Sequence, residues 1–119
     1  MQNKNPLVLA FVGDAYWTLF VRNHLIAKSN DKVGALHLAA NKYVCATAQA
    51  VFYEKIASLF NETETAVATR ARNAHNNTTP KNCKLAEYKL ATAFEAVIGY
   101  NYLIGDFKRL EKLTGECIC

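Results

Sequence analysis

Apolar residues recur along most of this chain at intervals of three and four, the spacing that builds one face of an α-helix. The first run, residues 5–21 (NPLVLAFVGDAYWTLFV), opens on Asn5-Pro6, an N-cap oxygen followed by proline at the first helical position. A helix is expected over residues 6–27 with a disturbance at Gly13. The competing reading is a buried strand over residues 7–12, with Asp14 capping a later helix. A long second helix is expected over residues 32–60, capped by Asp31. Val33, Leu36, Ala40, Tyr43, Val44 and Val51 share one stripe of it, and His37, Lys42, Gln49 and Lys55 lie away from that stripe. Asn61 and Glu64 have the spacing of a capping box and open a shorter helix to residue 74. Residues 75–84 (HNNTTPKNCK) form a polar loop, either a solvated connector or a contact loop. Asn82 is placed to cap the next helix, whose stretch 90–105 (LATAFEAVIGYNYLIG) is apolar on nearly every face, as a central buried helix requires. Gly105-Asp106 breaks it, and Phe107, Leu110 and Leu113 mark a last short helix.

Abundant alanine with only two prolines and five glycines agrees with an all-α fold, and 119 residues suffice for one domain, 1–119, with its core at about 6–113. The apolar runs carry Asp, Asn, Thr and Glu internally and fall short of a span of ~20 residues, so they are expected in a core and not in a membrane. No stretch combines a basic start, an apolar centre and a small-residue cleavage site, so no signal peptide is expected. Cys45, Cys83, Cys117 and Cys119 lack disulfide-framework or zinc-ribbon spacing. Free thiols in a cytoplasmic protein are preferred to a metal site at Cys117 and Cys119. The net charge of +4 is concentrated in residues 65–94, where Arg70, Arg72, Lys81, Lys84 and Lys89 face Glu87 alone. Such a patch suits a polyanion. Arg70 and Arg72 also suit the negative end of their helix, but residues two apart point in nearly opposite directions. At least one of them must do something else.

Candidate chemistry lies in the two apolar runs. Asp14 is the only charged residue in the first and Glu95 the only one in the second. Burying a lone carboxylate costs several kcal/mol unless a cation or hydrogen-bond donors compensate it. Each acid has small residues one turn away, Ala10 for Asp14 and Ala91 and Gly99 for Glu95. Together they suggest a shared site for a hard cation such as Mg2+, which prefers carboxylate oxygens and keeps several waters. Structural roles are open to both acids: a helix cap for Asp14, and a buried pair with Arg or Lys for Glu95.

Phe11-Val-Gly-Asp14-Ala15 resembles the ribonuclease III signature, and Ala93-Phe-Glu95-Ala-Val-Ile-Gly99 resembles the second catalytic motif of that family. Arg70-Ala-Arg72-Asn73-Ala74, then Thr78-Thr-Pro-Lys-Asn82, and Tyr100-Asn-Tyr-Leu-Ile-Gly105 are similar to the Mini-III subgroup. The resemblance implies an all-helical ribonuclease III endonuclease domain, dimeric, that cleaves double-stranded RNA with magnesium and matures the 23S ribosomal RNA precursor. It implies that Asp14 and Glu95 are the catalytic metal ligands. Without room for a separate double-stranded-RNA-binding domain, RNA would be held by Arg70, Arg72, Asn73, Thr79, Lys81 and Lys84. A ribosomal protein is a further candidate partner. The wider family has acids where this chain has Ala10 and Thr92, so the ligand set is thinner. The alternatives are a non-catalytic RNA-binding or scaffold domain of the same fold, and a helical protein–protein interaction module.

Overall fold

A computed structural model describes residues 1–74 and 84–118. They form six α-helices: α1 (Pro6–Lys28), α2 (Val33–Val44), α3 (Ala46–Ile56), α4 (Glu62–Asn73), α5 (Leu85–Leu103) and α6 (Phe107–Cys117), with a 3-10 turn at Ala57–Leu59. The fold is all-α, and no described helix is long and apolar enough to cross a membrane.

Helix α1 starts as its sequence requires. The Asn5 side chain accepts a hydrogen bond from the Leu7 backbone N–H at 2.9 Å, and Pro6 stands in the first turn. The helix then runs unbroken through Gly13, which excludes the strand alternative and removes the expected disturbance. Helix α5 is the centre of the molecule and packs against α1, α3, α4 and α6. Its Phe94, Val97 and Ile98 are fully buried, as the all-round apolar sequence predicts. Trp17 of α1 locks the two helices together: its ring meets Phe94 edge-on at 5.0 Å and Phe52 of α3 at 5.4 Å.

The long helix expected over residues 32–60 is instead broken at Cys45, whose backbone is extended (φ −69, ψ 157). A break strands the carbonyls that residues 47 and 48 would have bonded, and here two side chains take them. Trp17 Nε1 donates to the Tyr43 carbonyl at 2.8 Å, and Gln49 Nε2 donates to the Val44 carbonyl at 3.2 Å. Each bond keeps a buried acceptor satisfied, so the chain turns a corner at little cost. The break also ends the single stripe: Val51 is exposed and Gln49 is buried, the reverse of the expected phase. Nor does Asp31 cap α2, because its N-cap residue is Lys32, with no side-chain bond.

Asn61 and Glu64 form the expected capping box, with bonds of 2.8 and 3.0 Å. Gly105 adopts a positive φ of 77° after α5, a conformation open to glycine at no steric cost. Asp106 then caps α6 by accepting from the Arg109 N–H at 3.1 Å. The expected cap Asn82 lies outside the described residues.

Candidate active site

Helices α1 and α5 cross with almost no space between them. A Cβ on Gly13 would overlap the Glu95 carbonyl oxygen, and one on Gly99 would overlap the Leu9 carbonyl oxygen. Glycine at both positions permits this approach, and the approach sets Asp14, next to Gly13, against Glu95.

The two acids differ in environment. Asp14 is exposed, a correction to the expectation of two buried carboxylates, while Glu95 is partly shielded. Burial, and then the neighbouring Asp14 carboxylate, push the Glu95 carboxyl up to about 9; only the Gln49 amide pulls the other way. Among the described residues no Arg or Lys bonds to Glu95, so the structural alternative of a buried ion pair is not met there. Two carboxyl groups in contact, one shielded and neither paired with a cation among the described residues, form an oxygen-donor pair that a metal ion would relieve. No cluster of three or more His, Cys, Asp or Glu side chains occurs among the described residues. The pair fits magnesium, which takes one or two carboxylates and fills its remaining positions with water.

Gln49 completes this site and was not legible from spacing alone. Only 2 % exposed, it reaches from α3 to place Nε2 3.5 Å from Glu95 Oε2. Its sole sequence signal is a polar residue in an otherwise small and apolar stretch, Ala46 to Phe52.

A second buried acid, Glu64, plays a different part. It is fully buried, and Arg109 of α6 reaches both of its oxygens, with Nη2 2.7 Å from Oε1 and Nε 3.0 Å from Oε2. Asn101 Nδ2 of α5 donates to Oε2 at 2.8 Å, and Arg109 also donates to the Leu59 carbonyl. Burial would raise the Glu64 carboxyl, but the bonds from Arg109, the Asn61 N–H and Asn101 hold it below its ordinary value. This acid has its cation built in. It ties three helices together and has no lone pair to spare for a metal.

The basic residues divide likewise. Arg70 donates to the backbone carbonyls of Gln2, Asn3 and Lys4, with the Lys4 bond at 3.1 Å, and so fastens the segment before α1 to the end of α4. Arg72 and Asn73 are exposed at the end of α4, and Lys84 is exposed at the start of α5. The three therefore flank residues 75–83. Thr79 and Lys81 lie outside the described residues.

Known proteins give this arrangement a context. The ribonuclease III domain family matches residues 7–106. A Mini-ribonuclease 3 from Brevibacillus brevis is 48% identical over 112 residues, covering 94% of this chain and 84% of that protein. One from Thermoanaerobacter sp. is 45% identical over 109 residues, covering 92% of this chain and 77% of that protein. A crystal structure of a Fusobacterium nucleatum protein superposes with a TM-score of 0.91 at 32% identity, covering 99% of this chain and 98% of that one. The chain belongs to the ribonuclease III family and, within it, to the Mini-ribonuclease 3 group.

Proposed function

We propose that this protein is a magnesium-dependent, double-strand-specific endoribonuclease acting in maturation of the 23S ribosomal RNA precursor. One observation carries the mechanism: the glycine-to-glycine crossing of α1 and α5 puts Asp14 and Glu95 side by side with no cationic side chain paired to Glu95 among the described residues. These two residues would hold the metal. The chemistry such an ion supplies is activation of a water and neutralisation of charge gathering on the phosphodiester. Asp14, the exposed acid, meets the substrate side, and Glu95 backs it from within the protein. Family membership supports the RNA substrate, and a duplex is the form that places two phosphate strands against a basic surface.

Arg72, Asn73 and Lys84, with Thr79 and Lys81 of the intervening segment, would grip the duplex backbone. Arg70 contributes by fixing the end of α4, and its charge adds to the same surface.

The active form is a homodimer, which would set one site against each strand. Its support is the outer face of α1. Val8, Phe11, Ala15, Leu19 and Ile26 fall within one sector of the helix, all exposed, with Phe11 78% exposed. This face runs into an apolar groove of about 160 Å³ between α1 and α2, lined by Leu25, Ile26, Val33 and Leu36, with Arg22 and His37 beside them. Antiparallel pairing of two α1 helices carries each Phe11 toward the groove of the other copy. So large an exposed apolar face is a mark of an interface.

Incubation with labelled duplex RNA, with magnesium and then with chelator, tests the reading. Cleavage only with magnesium is the expected result. Binding without cleavage would favour a scaffold of the same fold, and neither would favour a protein–protein module.

A further inference from the structure

We infer that Gln49 is a positioning residue of this site: its side-chain amide, anchored on the Val44 carbonyl that the α2–α3 break leaves open, holds the Glu95 carboxylate in place for a cation shared with Asp14. The inference rests on the metal reading above and deepens it.

The direction of the amide follows from its partners. The Val44 carbonyl can only accept a hydrogen bond, so the side facing it must be Nε2. A flipped amide would set oxygen against that carbonyl and against a carboxylate. With one N–H committed to Val44 at 3.2 Å, the other is left for Glu95 Oε2 at 3.5 Å. That second contact is at the long end of the range, and a movement of a few tenths of an ångström brings it to ordinary length.

Among the described residues no other side chain offers the ionised Glu95 a donor. From α1 it meets Asp14, a like charge; from α3 it meets Gln49. On its own helix Thr92 Oγ1 donates to the Tyr88 carbonyl at 3.0 Å and is turned along α5. Gln49 is therefore the side chain that offers Glu95 a donor among the described residues. Outer partners of metal-binding carboxylates fix the orientation of the ligand, and their loss typically costs ~10–100-fold in metal affinity or activity.

The test compares the full-length protein with Gln49→Met, which keeps the volume and removes both N–H groups. Manganese binding is followed by electron paramagnetic resonance without RNA, duplex binding is measured in chelator, and cleavage is titrated with magnesium. Manganese affinity and the half-saturating magnesium concentration should both weaken ~10-fold or more. Duplex binding should stay within about twofold of wild type, and excess magnesium should restore cleavage. Unchanged metal affinity, or cleavage lost at every metal concentration in proportion to unfolded protein, would overturn the inference. If Gln49→Met does not fold, the Gln49 side-chain amide resonances of the wild-type protein serve instead. They should move when magnesium is added, and resonances that stay put while metal binds would overturn it equally. Failure of the metal reading itself looks different, since wild-type and Asp14→Asn proteins would then bind manganese alike.

Discussion

Gly13 and Gly99 face each other where α1 crosses α5, so that a Cβ on either would stand 2.9 Å from the backbone nitrogen of the other. In an exposed helix, Gly→Ala gains about 1 kcal/mol from propensity. Here the new methyl group meets rigid backbone, and overpacking costs roughly 1–3 kcal/mol or more. The steric term wins. Gly99→Ala should lower the melting temperature by several degrees and, by forcing the helices apart, reduce cleavage at least ~10-fold. Circular dichroism melts and duplex cleavage assays check both. Gly34→Ala is the control, because nothing lies within 4 Å of its Cβ position.

Glu95→Gln should separate stability from activity. The folded-state value of about 9 lies above the unfolded one, so Glu95 contributes fully only below about pH 4.5, and the contribution is lost as pH rises through 9. Metal-free protein should therefore lose stability steadily from this group as pH rises from 5 to 9. Glu95→Gln should melt higher than wild type at pH 8 without metal, flatten that pH dependence, and lose cleavage. Magnesium should raise the melting temperature of wild type and leave that of Glu95→Gln unchanged.

Glu64 has the opposite sign. Its folded value is lowered, so its stabilisation is present above the ordinary carboxylate range and lost as pH falls through the folded value. Arg109→Met strands a fully buried carboxylate and should cost ~3–5 kcal/mol, a large share of the stability of a domain of this size. Glu64→Gln should cost less, since Asn101 and Asn61 keep polar partners. Urea denaturation at pH 7 and pH 4 measures both the size and the sign.

What could be read from the residues and what could not follows from the range of the interactions involved. The Asn5-Pro6 start, the Asn61–Glu64 box and the all-round apolar α5 are local signals, and each element stands where it was expected. The break at Cys45 has no glycine or proline to announce it. It is held by Trp17, 26 positions before the Tyr43 carbonyl it bonds, and by Gln49, whose role exists only once the Val44 carbonyl is free. Likewise Glu64 is a proper helix-start residue by spacing, and its burial depends on Arg109, 45 positions on. Asp14 and Glu95 stood out as lone charges, but which of the two is shielded depends on how α1 lies across α5.

Arg72 and Lys84 flank the same segment and should contribute to duplex binding without sequence preference. Replacing either with Ala should weaken binding in calcium or chelator and reduce the slope of log affinity against log salt by about 1. Fluorescence anisotropy over a salt series gives the slope directly.

Phe11→Glu places a charge in the middle of the exposed face of α1. Analytical ultracentrifugation should show wild type as a dimer and this variant as a monomer at the same concentration, with cleavage lost and the helical spectrum intact.

The pairing of Asp14 with Glu95 around a metal is tested most directly by single-turnover cleavage of a labelled duplex by Asp14→Asn at saturating magnesium. Asn keeps the shape of the exposed acid and removes its charge. The expected result is loss of cleavage by ~10³-fold or more, with wild-type circular dichroism and wild-type duplex binding in chelator. Cleavage at the wild-type rate would contradict the account.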